Sequence, residues 1–498
     1  MGTPGLTGAG TGTRGATATR TGRHALHTDL HIGGHATATD ARFPVCDPAT
    51  GTVIAEVADG TADDAVRAVA AAHEAGTRWA ATSPRRRSEL LLAAFGLLQD
   101  RAEELAALIT RESGKALSDA RAEVRYAAEF FRWYAEEAVR AAGSLVPAPA
   151  GGHRILVQHR PVGVCALVTP WNFPAAMATR KLAPALAAGC TAVLKPASDA
   201  PLTALCVAAL LERAGVPPGV VNVVPSRRPG EVVGALLRDP RVRKLSFTGS
   251  TEVGRLLLRE AAEGVLNVSM ELGGNAPFLV FADADLDAAV AGAVLAKTRN
   301  AGQACTAANR FYVQAPVAGE FGRRLATRMA ALTVGPGHAE GTDIGPLINA
   351  AAVAKADRLV ASAVASGARA LTGGARPSGP GCFYPPTVLA DVPPGAPILA
   401  EEIFAPVAPI VPFDREEEAV RHANATDMGL VSYVYTGDLA RALRLTGLLE
   451  AGMVGVNRGL VSEPAAPFGG VKQSGIGREG GHDGLLDYLE TQYTAVDW

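Results

Sequence analysis

Residues 300–310, NAGQACTAANR, hold one cysteine among small, mostly uncharged neighbours. Nothing beside Cys305 would ligate a metal with it, and no second cysteine is near enough to form a redox pair. Two uses remain: packing, as for any free thiol in a core, or nucleophilic chemistry as the thiolate. Glu271 lies 34 positions upstream, in MELGGNAP, ahead of two glycines. A carboxyl beside small residues can approach substrate or water, and burial would raise its pKa toward general-base work. Asn172, in TPWNFP, stands shortly before Pro174, a good first helical residue. Its amide can donate to a developing oxyanion. A helix N-cap is the plain alternative.

A second group suits a nucleotide. Lys195 ends the apolar run of VLKPAS, and strand C-termini line the ligand crevice of a doubly wound sheet. A lysine there reaches ribose hydroxyls or a phosphate. SFTGSTEVG sets Gly249, Ser250 and Gly254 at a strand-to-helix turn, where backbone N–H groups and the helix dipole favour an anion. It is not the G-x-G-x-x-G fingerprint, so taken alone it also reads as an ordinary turn.

The elements needed to hold these residues are legible. Residues 60–143 are rich in Ala, Leu, Arg and Glu at helical spacing, with RRRSELLLAAFGLLQDRAEELAALIT as one amphipathic run. RILVQHRPVGVCALVTP reads as extended chain. Helix, strand, helix and strand then alternate through AAMATRKLAPALAAGC, TAVLKP, TALCVAALLERAG and GVVNVVP. RKLSFTGS and TEVGRLLLREAAEG continue the pattern, which predicts an α/β fold with a doubly wound parallel sheet. Further pairs run from about 276 to 460, and the C-terminal stretch ends on a lone strand. With residues 152–160 that strand could form an outlying sheet facing a partner subunit.

The 498 residues suggest roughly three domains, and 48% hydrophobic content is ample for a large core. A net charge of -2 gives no electrostatic case for nucleic acid or an anionic membrane. No uninterrupted apolar run is long enough for a membrane span. The six cysteines form no C-x-x-C and point to a reducing, cytoplasmic setting. Residues 1–25 lack the apolar centre of a signal peptide and read as a disordered extension. His24, His27, His31 and His35 share no helix face and gain no completing acid or cysteine, so no metal is expected.

In combination the motifs are specific. TPWNFP, LKPA, FTGST, MELGGNAP, GQAC, EEIF, PFGGVKQSG and GREGG occur in that order, and from about residue 27 to 498 the chain resembles the aldehyde dehydrogenase superfamily. The resemblance implies a Rossmann-like NAD(P)-binding domain over 26–143 and 161–270. It implies an α/β catalytic domain over 271–473, and a small oligomerisation sheet from 144–160 and 474–498. It makes Cys305 the nucleophile, Glu271 the general base and Asn172 an oxyanion donor. Cofactor contacts fall on Trp171, Lys195, Ser198, Gly249, Ser250, Glu402 and Phe404. The cofactor is NAD or NADP. NAD-preferring members often carry Glu three residues after the lysine, and neutral Ser198 stands there, so the barrier to NADP is absent. Arg227 and Arg228 lie near enough in sequence to join that pocket, though a solvated pair is the simpler reading.

Arg180, Arg299 and Ser462 match positions by which the succinate-semialdehyde branch grips a distal carboxylate. Either arginine alone reads equally as half of a structural ion pair; both with a hydroxyl suit a carboxylate. The expected reaction is oxidation of succinate semialdehyde. Alternatives are glutarate semialdehyde, a 2-oxo acid semialdehyde or a sulfonated aldehyde, and a non-enzymic protein on this scaffold. A homodimer or homotetramer is expected. The sequence departs from the pattern at Ala307, where a second cysteine could close a disulfide; at Glu463, Pro464 and Ala465; and at Ala405, usually Gly. If position 405 needed positive φ, the Phe404 ring would be aimed differently.

Overall fold

The computed structural model describes residues 26–497. Residues 1–25, with His24 and the expected extension, lie outside the described residues.

Two large sheets carry the molecule. In the first, Val221–Val223, Thr191–Lys195, Val164–Val168, Val242–Thr248 and Asn267–Glu271 lie side by side in parallel. Leu30–Ile32 and Gly475–Ile476 pair antiparallel at its two margins. Every residue of Val164–Val168 and Thr191–Lys195 is buried. Strands covered by helices on both faces must be apolar throughout, hence runs without alternation. In the second sheet, Thr387–Ala390, Val407–Phe413, Ala308–Gln314, Ala276–Val280, Val431–Tyr435 and Met453–Val456 are parallel. Arg369–Thr372 adds an antiparallel edge. The architecture is α/β, as the alternation predicts.

A third sheet joins Leu489–Val496, Arg154–Pro161 and Ser144–Pro147, with Leu489 opposite Pro161 and Val496 opposite Arg154. Residues 474–488 stay out of it, since Gly475–Ile476 belongs to the first sheet.

Two expectations change in detail. The amphipathic run after residue 84 is two helices, Pro84–Asp100 and Ala102–Ser113, broken at non-helical Arg101. Both pack on Leu117–Glu137, and the break lets each bury its own apolar stripe there. The extended run after residue 153 is also two strands in different sheets. They part beside Gly163, whose φ of 119° is open to glycine and unfavourable elsewhere.

Candidate active site

The two sheets meet around a cavity of about 310 Å³. The first sheet presents the C-terminal ends of its strands: Trp171 and Asn172 follow Val164–Val168, and Gly249 and Ser250 follow Val242–Thr248. The second presents loops leading into its strands: Arg299 and Cys305 precede Ala308–Gln314, and Glu402 and Phe404 precede Val407–Phe413. Arg180, from the helix Pro174–Ala188, and Ser462 complete this part of the wall.

Cys305 sits half-buried behind a strained turn. Asn300, Ala301 and Gly302 take φ of 54°, 53° and 74° in succession. A Cβ on Gly302 would lie 2.4 Å from the Ala405 carbonyl oxygen, so only glycine fits there. Asn300 Nδ2 donates to both Asn172 O (2.9 Å) and Gln303 O (3.0 Å), and Asn172 Nδ2 donates to Gln303 O (3.0 Å). The amide and thiol loops are therefore tied through buried polar groups. An amide has two N–H bonds, so Asn172 keeps one for another acceptor. Buried Lys115 donates to the same Asn172 carbonyl (2.9 Å) and pairs with buried Glu123. Glu123 in turn accepts from Ala175 N (2.9 Å) and Ala176 N (3.2 Å), anchoring the start of the helix that carries Arg180.

Burial dominates the electrostatics of the site. Burial pushes the Cys305 thiol up to about 12, with Arg180 and Arg299 pulling the other way. Glu271 is 3% exposed, and neither carboxyl oxygen has a hydrogen-bond partner. Burial first, then Glu479, holds it well above the usual carboxylate range. Glu271 does not itself line the cavity; its neighbours Leu272 and Gly273 do. Behind it, Lys181 Nζ donates to Glu479 Oε1 (2.5 Å) and Ser246 Oγ (2.9 Å), an ionic contact absent from the sequence reading. Burial also pushes Glu402 up to about 7 and Lys297 down to about 7. Among the described residues Lys297 Nζ has no hydrogen-bond partner.

Several expectations are refined. The Gly249 N–H donates to Glu271 O (3.0 Å), so it is not available to a phosphate. A Cβ there would lie 2.4 Å from the Phe247 ring, so close packing is what requires glycine. Ser250 caps its helix through Val253 N (3.3 Å). Positive φ falls on Phe404 (56°) and not on Ala405, so alanine is tolerated where glycine is usual. That conformation stores roughly 1–3 kcal/mol for a bulky residue. The Phe404 ring meets Trp171 edge-on at 5.6 Å. Lys195 is buried at the end of its strand and lies outside the main cavity, and burial pushes it down to about 8. Ser198 faces a neighbouring cavity of about 580 Å³ that Arg227 also lines, whereas Arg228 pairs with Glu231 (3.5 Å). Tyr126 and Lys355 line the main cavity and went unread in the sequence, because neither belongs to a recognisable motif.

Thiol, amide and buried carboxyl at this sheet junction are matched by likeness along the whole chain. Residues 35–494 match the aldehyde dehydrogenase family. The chain belongs to that family. This aldehyde dehydrogenase is 55% identical over 444 residues to a succinate-semialdehyde dehydrogenase of Paenarthrobacter nicotinovorans, covering 89% of this chain and 99% of the relative. It is 49% identical over 452 residues to a glutarate-semialdehyde dehydrogenase of Pseudomonas aeruginosa, covering 91% and 93%. A solved NADP-dependent enzyme of E. coli superposes with a TM-score of 0.94 at 46% identity, covering 95% of this chain and 98% of that one. The aldehyde dehydrogenase uses NAD or NADP. No helix of its described residues is long and apolar enough to cross a membrane.

Proposed function

We propose that this aldehyde dehydrogenase oxidises succinate semialdehyde to succinate. One observation carries the choice of a carboxylated substrate. The Arg180 guanidinium is 2% exposed, lines the cavity with Cys305, and keeps Nε and Nη1 without hydrogen-bond partners. Its carboxylate neighbour Glu479, 3.5 Å from Nη1, also pairs with Lys181, so one buried carboxylate faces two buried cations and an incoming anion would balance the charge. Arg299 and Ser462 line the same space, and two guanidinium groups would repel a cationic aldehyde. Glutarate semialdehyde is the second reading, supported by the Pseudomonas relative.

The residues fit a nicotinamide cofactor. Glu402 lines the cavity beside Phe404 and accepts from Gly274 N through Oε1 (3.3 Å), and its carboxylate would hold a ribose hydroxyl. Lys195, ending Thr191–Lys195, and Ser250, just past Val242–Thr248, lie on either side of the Val164–Val168 strand and suit the ribose and phosphates. A nicotinamide held by these residues would supply the acceptor for a hydride from the aldehyde carbon. Cys305 loses its thiol proton to solvent, and the thiolate bonds that carbon to form a thiohemiacetal. The free Asn172 N–H and the Cys305 backbone N–H hold the resulting oxyanion. Once the carbon is oxidised to a thioester, Glu271 takes a proton from water, which attacks the acyl carbon. The C–S bond breaks, releasing carboxylate and thiolate.

Arg180→Ala and Arg299→Ala are each expected to lower kcat/KM for succinate semialdehyde tenfold to a hundredfold, ~1.5–3 kcal/mol. Butanal should be far less affected. Initial rates of cofactor reduction over a panel of succinate and glutarate semialdehydes, betaine aldehyde and butanal decide the substrate. Equal losses on charged and neutral aldehydes would leave the arginines a structural role only.

Ser198 lacks the carboxylate that would repel a 2′-phosphate, and Arg227 shares its cavity. NADP is therefore accepted, alone or with NAD. Ser198→Glu is expected to lower kcat/KM for NADP at least about tenfold and spare NAD. A wild-type enzyme active with NAD and inert at saturating NADP would refute this.

The exposed sheet bearing Leu145, Val146 and Tyr493 is the surface assigned to a homodimer or homotetramer. Free thiols at all six cysteines fit a cytoplasmic setting.

A further inference from the structure

The Arg180 guanidinium is held on three sides. Phe468 lies on its face, 4.1 Å from Cζ. Glu479 Oε2 stands 3.5 Å from Nη1, an ionic contact without a hydrogen bond. Tyr126, on the helix Leu117–Glu137, accepts from Nη2 at 2.7 Å. Stacking on a ring fixes the plane of a guanidinium but leaves it free to turn within that plane. The hydroxyl contact removes that freedom. Nε and Nη1 are buried, Nη1 against Glu479, so with one N–H of Nη2 tied to Tyr126 the other N–H of Nη2 is the donor left for an incoming group in the cavity.

Tyr126 is more than a prop for Arg180. A phenol oxygen that accepts one hydrogen bond still has its own proton to donate. No acceptor for that proton is found among the described residues, and Tyr126 lines the same cavity as Cys305, Arg299 and Ser462. Its ring is fixed by an edge contact with Phe130 at 4.9 Å, so the hydroxyl is held in place. A hydroxyl polarised by an adjacent guanidinium is a better donor, and the acceptor it suits is an oxygen anion.

We propose that Tyr126 determines specificity for carboxylated aldehydes, aiming Arg180 at the distal carboxylate and donating its own hydroxyl proton to the same group. This rests on the carboxylated-aldehyde reading above. The contact is made at the far end of the substrate, away from the reacting carbon. It therefore contributes equally to substrate and transition state, and its loss appears in KM with kcat retained.

Tyr126→Phe keeps the ring and removes only the hydroxyl. Steady-state kinetics with succinate semialdehyde and butanal, the affinity for cofactor, and inhibition by succinate are measured for Tyr126→Phe and Arg180→Gln. Thermal melting verifies that each variant is folded. The expected result for Tyr126→Phe is a KM for succinate semialdehyde raised about tenfold, with succinate inhibition weakened in parallel. Its kcat stays within about twofold, and butanal kinetics and cofactor affinity are unchanged. A Tyr126→Phe enzyme with wild-type KM and succinate inhibition, beside an Arg180→Gln enzyme selectively impaired on succinate semialdehyde, would overturn the role of Tyr126 and leave the substrate reading standing. Equal losses on both aldehydes in Tyr126→Phe would reduce the residue to packing. Equal losses on both in Arg180→Gln would overturn the substrate reading itself.

Discussion

Cys305→Ala is expected to lower aldehyde oxidation at least about 10⁴-fold, since removing a nucleophile leaves only binding and oxyanion stabilisation. The fold and cofactor affinity should survive, because Ala removes one sulfur from a half-buried position. Activity assays paired with thermal melting and cofactor titration separate these effects. Substantial turnover by a folded Cys305→Ala enzyme would end the thiohemiacetal mechanism. The pH dependence has a definite sign. Burial raises the Cys305 thiol to about 12, and the thiolate is the reactive form. Acylation in the wild-type enzyme should therefore rise with pH through the neutral and alkaline range. A flat profile in single-turnover measurements would contradict a thiol held this high.

Glu271→Gln is expected to slow thioester hydrolysis about 10²–10⁴-fold while leaving acylation far less affected. Acyl-enzyme, seen as added mass on the intact chain, should then accumulate during turnover. Free enzyme at steady state would argue against Glu271 as the base. The base acts deprotonated, and burial with Glu479 holds its carboxyl well above the usual range. Hydrolysis in the wild type therefore increases as pH rises through that raised pKa, and the Gln variant should lose this limb of the profile.

Buried strands without alternation and helices at regular spacing are visible in sequence because burial on both faces admits only apolar runs. Val164–Val168 and Thr191–Lys195 are of this kind. The break at Arg101 is not, since no glycine or proline marks it and packing on a third helix determines it. The site divides in the same way. Cys305, Glu271 and Asn172 each belong to a motif, so their candidacy is legible one residue at a time. Tyr126 carries no such mark, because a tyrosine on an amphipathic helix looks like any other core residue until its hydroxyl is found 2.7 Å from Arg180.

The sequence by itself determined the alternating α/β order and the residues able to do chemistry, because hydrophobic periodicity and reactive side chains are local properties of the chain. It also determined that position 198 carries no carboxylate, a matter of residue type alone. Only the tertiary structure decided which of these residues share one space. Strand C-terminal ends of one sheet meet loops leading into the other, which brings Arg180 and Cys305 to a common wall across 125 residues of chain. It also decided where charge goes unpaired. Glu271 and Lys297 become unusual only through desolvation, and burial is a property of the packed molecule that no local pattern encodes.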